Sequence, residues 1–256
     1  VSRLSVSIVT YNSAATIRAT LDSLLALTEP QGWIVYLVDN GSSDQTTAIL
    51  DTYGARIRRL GPERGNIGFG AAHNRLLPLL DSDYHLILNP DVAFRDMASL
   101  TQLTTRLDTD ASVGLAAPRI VSPRGELQML CRRDPTVLDL ALRLLPQRIG
   151  RRRQAWHTMQ DRDYSQSFDV PFASGCCLLI RTRLWRDLGG FDERFFLYLE
   201  DADLTRRVRQ IARAVYVPES TVVHAWQRGS YRSLRLALTH LVSLARYFSK
   251  WGWRWR

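Results

Sequence analysis

The chain has 256 residues and 45% hydrophobic content, enough for one large domain or two small ones with a packed core. It shows no signal-peptide pattern and no run of about 18 apolar residues, so neither a secretory leader nor a spanning helix is expected and the chain is expected to stay in the cytoplasm. The formal charge of +9 is carried almost wholly by arginine, Lys250 being the only lysine, and arginine-codon preference explains most of it as readily as phosphate binding does.

In chain order, "SVSIVTYN" reads as a buried strand and "AATIRATLDSLLAL" as an amphipathic helix, and "WIVYLVDNGSSDQTTAILDTY" repeats the strand, loop and helix. A short strand near "ARIRRL", the glycine-punctuated loop "GPERGNIGFG", a helix from about Ala71 to Leu80 and the strand "YHLIL" follow. This alternation predicts an α/β fold with a mainly parallel sheet covered on both faces and a ligand beyond the carboxyl ends of its strands, where Asp39, Asn40 and Asp91 fall. From 119 to 172 the pattern is less regular: "PRGEL" is a turn, "PTVLDLALRLL" a short helix and "RRRQAWHTMQDRDYSQ" a polar loop expected to be mobile. "ASGCCLLIRT" is the next strand, half-buried, with Cys176 and Cys177 reduced; with Cys131 they form neither a disulfide framework nor zinc-ligand spacing. "DERFFLYLEDADLTRRVRQIA" turns helical in its second half. The end, 229–256, is a basic amphipathic helix closing on three tryptophans. From Leu204 onward there are eleven Arg or Lys against one acid, Glu219.

Three clusters could carry chemistry. In "VDNGSSD", turn and cap preferences account for Ser43 and Asp44, whereas Asp39 at the strand end can hold a base or ribose. In "LILNPDV", Pro90 forbids a continuing central strand and leaves Asp91 in the crevice, although the same tripeptide is also a common turn. In "FFLYLEDADLTRR", Glu200, Asp201 and Asp203 suit a helix start, and Asp203 can pair with Arg207. The aromatic approach through Phe195, Phe196 and Tyr198 points further, to a partly desolvated base. His224 after "STVV" is either a metal ligand or a structural histidine.

The motifs "VSIVTYNS", "LVDNGSSD", "GNIGFGAAHN", "LILNPDV", "ASGCCLLIR", "GGFDERFFLYLEDADLTRR" and "VVHAWQRGS" occur in this order and resemble the inverting family 2 glycosyltransferases of the GT-A fold, especially bacterial rhamnosyltransferases of O-antigen and cell-wall assembly. The resemblance spans about residues 4–248 and implies a catalytic domain over 1–228, with a nucleotide-sugar half at 1–118 and an acceptor half at 119–228, followed by the helix at 229–256. It implies that Thr10, Tyr11, Asn12, Asp39, Asn66, Gly68, Phe69, Asn74 and Asn89 bind the donor. Asp91, the one carboxylate of an Asp-x-Asp position that here reads Asn-Pro-Asp, would hold Mg²⁺ or Mn²⁺ with His224. Asp201, beside Glu200, would be the base.

The implied donor is dTDP-L-rhamnose and the implied acceptor a polyprenyl-diphosphate-linked saccharide, with the C-terminal helix lying peripherally on the inner face of the cytoplasmic membrane. A UDP-hexose donor is the alternative within the family; an inactive sugar-nucleotide binder is a third reading. A nucleic-acid partner has nothing but basic charge behind it. The sequence leaves the oligomeric state open.

Overall fold

The computed structural model describes residues 2–61, 65–143, 149–225 and 234–256. Its strands are β1 (Ser2–Thr10), β2 (Ile34–Asp39), β3 (Arg58–Leu60), β4 (Ser82–Leu88), β5 (Val92–Phe94), β6 (Val113–Val121), β7 (Cys131–Arg132), β8 (Phe168–Asp169), β9 (Phe172–Ala173), β10 (Cys177–Arg181) and β11 (Arg213–His224). Its α-helices are α1 (Ile17–Thr28), α2 (Thr46–Asp51), α3 (Phe69–Asn74), α4 (Met97–Thr109), α5 (Val137–Arg143), α6 (Arg151–His157), α7 (Thr182–Asp187), α8 (Glu200–Val208) and α9 (Leu234–Trp251).

The main sheet runs β3-β2-β1-β4-β10-β6-β11-β5, with β8 on β11. The first four strands are parallel; β10 enters antiparallel between β4 and β6, β11 runs parallel to β6, and β5 returns antiparallel at the edge. Along β1 the alternation of side chains puts Leu4, Val6 and Ile8 on one face, packed with α1 and α4 residues such as Leu21 and Leu103. The other face carries Ile87, Leu178, Trp185 and Leu204.

That second face also buries a polar chain. Ser5 Oγ lies 2.8 Å from His85 Nδ1, and Ser7 Oγ lies 2.8 Å from both His85 Nε2 and His73 Nδ1. Burial lowers the His85 pKa to about 3 and His73 well below the ordinary value, so both imidazoles are neutral and exchange hydrogen bonds with the serines.

Several expectations are corrected. The helix placed over Ala71–Leu80 is the shorter α3, followed by a separate 3-10 turn at Leu77–Leu79, because Pro78 lacks the N–H that an α-helix needs there. The polar stretch expected to be a mobile loop contains α6. Arg153 from α6 pairs with the fully buried Asp139 of α5 (2.5 Å), and Trp156 is covered by the guanidinium groups of Arg133 and Arg153 at 4.4 and 4.3 Å from its ring centre. Cys176 and Cys177 are wholly buried rather than half-buried, since β10 is an interior strand.

The last correction concerns α9. Part of the expected basic helix, 229–233, lies outside the described residues, but the segment from Ser243 to Trp251 packs on the domain instead of facing outward. Tyr247 and Phe248 are buried with Phe195, Leu199 and Ala202. Asp203, fully buried, binds Arg207 Nε (2.8 Å), Lys250 Nζ (2.6 Å) and Trp251 Nε1 (2.8 Å). Removing one partner of such a buried pair leaves an uncompensated charge, a cost of roughly 3–5 kcal/mol. Lys250 and Trp251 therefore serve the fold. Beyond them, Arg254 and Trp255 carbonyls accept from the Val137 and Leu138 N–H groups at the start of α5, and the exposed Trp253 stacks between Phe248 and Trp255.

Candidate active site

A cavity of about 310 Å³ opens at the carboxyl ends of β1, β2 and β4. Its walls include Tyr11, Asn12, Asn40, Asn66, Gly68, Phe69, Asn89, Asp91 and Phe196. Asn12, at φ 51°, accepts from the Ser43 N–H through Oδ1 (2.8 Å), tying the β1 turn to the β2 turn. Asn40 clamps the glycine loop: its Nδ2 donates to Asn66 Oδ1 (2.8 Å) and to the Gly68 carbonyl (3.2 Å), and its Oδ1 accepts from Ile67 N–H (3.0 Å). Sequence reading put Asn40 at a strand end without giving it this part. Gly68, at φ 97°, then meets the Phe196–Leu199 segment so closely that a Cβ would lie 2.5 Å from the Phe196 carbonyl oxygen, which accepts from Phe69 N–H.

Six of the nine residues expected around the donor thus line the cavity: Tyr11, Asn12, Asn66, Gly68, Phe69 and Asn89. Strictly, Thr10 and Asp39 stand one layer back. Asp39 Oδ1 accepts from Thr10 Oγ1 (2.8 Å) and Ser42 Oγ (2.6 Å), and its Oδ2 from Ser42 N–H (3.2 Å) and Thr47 Oγ1 (3.3 Å). Asn74 is a correction: it faces away from the cavity and clasps the backbone of Phe191, donating to its carbonyl (2.8 Å) and accepting from its N–H (2.8 Å), with both amide ends used. Asp44 does what a turn acid does, accepting from Thr46 and Ala14 N–H groups.

Asp91 sits in the turn between β4 and β5. The register of β5 on β11 sets His224 opposite Val92, and the Ala225 N–H donates to the Asp91 carbonyl (2.9 Å), so the two side chains meet with Nε2 3.4 Å from Oδ1. That Oδ1 is buried without a hydrogen-bond partner. Gln128, which sequence reading missed because it lies in a turn with no periodic signal, holds His224 twice: Oε1 is 2.9 Å from Nδ1, and Nε2 donates to the His224 carbonyl (3.0 Å). With Nδ1–H given to Gln128, Nε2 presents its lone pair toward Asp91. A hard carboxylate oxygen beside an imidazole nitrogen suits Mg²⁺ or Mn²⁺ when substrate phosphates complete the shell. No group of three or more His, Cys, Asp or Glu that could hold a metal exists among the described residues, so phosphate oxygens would have to do so.

Across the Gly175–Cys176 backbone lies the second acid. Asp201 Oδ2 accepts from Gly175 N–H (2.9 Å) and Oδ1 from Ala202 N–H (2.9 Å). A Cβ on Gly175 would lie 3.2 Å from Asp201 Cβ and 3.6 Å from the Phe69 ring, so this glycine lets the carboxylate approach the cavity wall. Burial raises the Asp201 pKa, partly offset by the two N–H donors and the charge of Arg132. Glu200 is more deeply buried, has Oε2 unpartnered, and has its pKa raised well above the ordinary value, first by burial and then by Asp201. The buried Cys176 thiol lies between the two sites; its pKa is pushed up to about 12, mainly by burial, with Asp91 and Asp201 adding. Tyr198 (φ 72°) and Leu199 (φ 66°) are consecutive non-glycine residues in the left-handed region just before these acids. Such a pair costs on the order of 1–3 kcal/mol per residue and leads into α8, where Glu200 is buried and Asp201 is half-buried against Gly175, next to the cavity but not among the residues that line it.

Comparison with known proteins follows this geometry. The model of glycosyl transferase family 2 matches residues 5–189. The N-acetylglucosaminyl-diphospho-decaprenol L-rhamnosyltransferase of Mycobacterium tuberculosis is 31% identical, over 98% of this chain and 86% of that protein. Among solved structures, the mannosyltransferase PcManGT from Pyrobaculum calidifontis, in complex with GDP-Man and Mn²⁺, superposes with a TM-score of 0.66 at 19% identity. GalNAc-T7 with UDP, GalNAc and Mn²⁺ gives 0.65 at 16%. The match covers 96% and 89% of this chain but only 64% and 44% of those two, so the chain spans less than two thirds of either solved neighbour. The chain belongs to the family 2 glycosyltransferases and has their GT-A fold.

Proposed function

We propose that this glycosyltransferase is an inverting rhamnosyltransferase that moves L-rhamnose from dTDP-L-rhamnose to a saccharide carried on a polyprenyl diphosphate. The sugar and the acceptor class are supported by the near full-length similarity to the mycobacterial rhamnosyltransferase. The chemistry is supported by one observation above all: the Gly175–Cys176 backbone is bonded both to Asp201, through the Gly175 N–H, and to the turn that carries Asp91, through the Cys176 carbonyl and the Asn89 N–H.

In this reading the nucleoside diphosphate lies against Tyr11, Asn12 and Asn66, with the sugar toward Phe196. Asp201 takes the proton of the acceptor hydroxyl as that oxygen forms its bond to C1 and the bond from C1 to the diphosphate oxygen breaks, so the nucleoside diphosphate leaves and the anomer inverts. Glu200, held neutral by burial, adds no second negative charge at the site. Asp91 and His224 would hold a divalent cation, which when bound supplies positive charge to the leaving diphosphate.

Asp201→Asn keeps the hydrogen bond from Gly175 but cannot take a proton. Turnover should fall by roughly 10²–10⁴ with donor affinity unchanged, while in the wild type the acid limb of the rate rises through a pKa above the usual aspartate value. Steady-state kinetics across pH checks both; loss of donor affinity with turnover retained contradicts the base role.

Asp91→Ala should remove the Mn²⁺-dependent part of dTDP binding in calorimetry, because diphosphate charge then goes uncompensated. Equal dTDP binding by variant and wild type, with and without Mn²⁺, contradicts a cation there.

No helix among the described residues is long and apolar enough to cross a membrane. A peripheral lipid contact remains supported by the exposed Leu238, Leu241 and Val242 on α9 and by Trp253 and Trp255, interspersed with Arg254 and Arg256. The variant to use is Trp253→Ser with Trp255→Ser, which leaves the buried Tyr247 and Phe248 in place. Flotation with anionic vesicles should be lost in it and absent for neutral vesicles in the wild type; equal recovery throughout contradicts the lipid contact.

A further inference from the structure

The segment from Asp192 to Asp203 supplies one wall of the cavity and both acids at the start of α8, yet it has no strand pairing and contains two consecutive left-handed residues. Its order must come from outside: the Phe69 N–H donates to the Phe196 carbonyl, Asn74 to Glu193 and the Gly175 N–H to Asp201, and α9 adds contacts along the segment's outer length. Ser243 Oγ donates to the Leu197 carbonyl (2.7 Å), Arg246 donates to the Arg194 carbonyl, and the His240 ring lies 4.9 Å from that of Tyr198. At the end of the helix, Lys250 Nζ lies 2.7 Å from Asp192 Oδ2 and 2.6 Å from Asp203 Oδ1, the two ends of the segment.

A single ammonium thus closes the loop that carries Asp201. In a chain where every other cationic side chain of this kind is arginine, the one lysine is found here. The chemistry favours it: an ammonium is a compact charge with three donors that can meet two carboxylates from different directions, whereas a guanidinium offers a flat fork. Lys250 also lies 5.3 Å from the centre of the Trp251 ring, whose Nε1 donates to Asp203, so the clasp is backed on its outer side.

We propose that Lys250 is a positioning residue for sugar transfer, tying Asp192 to Asp203 so that the intervening segment holds Asp201 against Gly175, beside the cavity. The proposal rests on the reading of Asp201 as the base. A purely structural lysine would alter stability and leave the turnover of folded enzyme alone. A positioning lysine alters turnover without altering dTDP affinity, because Asn12, Asn40 and Asn66 at the nucleotide end of the cavity belong to other elements.

The test uses Lys250→Met and Lys250→Arg in the full chain. Lys250→Met should lower kcat by about tenfold to a hundredfold with dTDP affinity within about twofold of wild type, and Lys250→Arg should fall between. A kcat within about twofold of wild type, or a loss shared equally by dTDP affinity, overturns the proposal. Should Lys250→Met not fold, Asp192→Asn loosens the same clasp and leaves Asp203 paired. Hydrogen exchange of amides 193–202 should then quicken by about tenfold, and the one side-chain ammonium signal of ¹⁵N-lysine-labelled protein should weaken. Unchanged exchange and an unchanged signal overturn it. A wild type that transfers sugar from no donor overturns the functional reading instead, and the exchange experiment still decides whether the clasp orders the segment.

Discussion

The close approach of the backbone at Gly68 and Gly175 to the segment before α8 is the constraint on which the site depends. A methyl group at Gly68 would strike the Phe196 carbonyl, and one at Gly175 would press on Asp201. Because neither is present, the glycine loop, the turn before β10 and the segment before α8 converge, and Asp201 obtains an N–H donor from that turn. Asn40 fixes the loop from one side and α9 fixes the segment from the other. The cavity is the space left where these three pieces of backbone meet.

Within that frame, three acids in four residues have three different fates. Asp203 is inside and fully paired, and anchors α9. Glu200 is inside with Oε2 unpartnered, so burial drives it toward the neutral form. Asp201 is half-buried with two N–H donors, which offset part of the rise that burial gives its pKa. The two left-handed residues before them make the difference, since they set which way each side of α8 faces. Environment, not residue type, assigns the roles.

Much of this was legible in the sequence. Strand, loop and helix alternation gave the parallel half, and Pro90 gave the end of β4 with Asp91 beyond it. The i,i+4 spacing gave the Asp203–Arg207 pair, which forms. Periodicity does not specify strand order, so the antiparallel entry of β10 between β4 and β6 could not be read, nor the full burial of Cys176 and Cys177 that follows from it. Nor does an apolar stripe say what covers it: α9 was read as membrane-facing to its end, whereas its last two turns lie on α8. The family resemblance implied Asn74 as a donor ligand, but an amide equally binds backbone, and here Phe191 takes both of its ends. Gln128 carried no signal, because an orienting hydrogen bond across 96 residues depends wholly on tertiary structure.

The central claim is single displacement of a dTDP-activated L-rhamnose, and the configuration of the product tests it most directly. The protein would be incubated with dTDP-L-rhamnose, or with UDP-hexoses in parallel, and a polyprenyl-diphosphate N-acetylglucosamine acceptor. The anomeric coupling of the product would then be read by NMR. The donor is β-linked, so one displacement by an acceptor activated at Asp201 gives an α-L-rhamnoside from dTDP-L-rhamnose. A β-rhamnoside would contradict the mechanism, and transfer from a UDP-hexose but not from dTDP-L-rhamnose would contradict the donor.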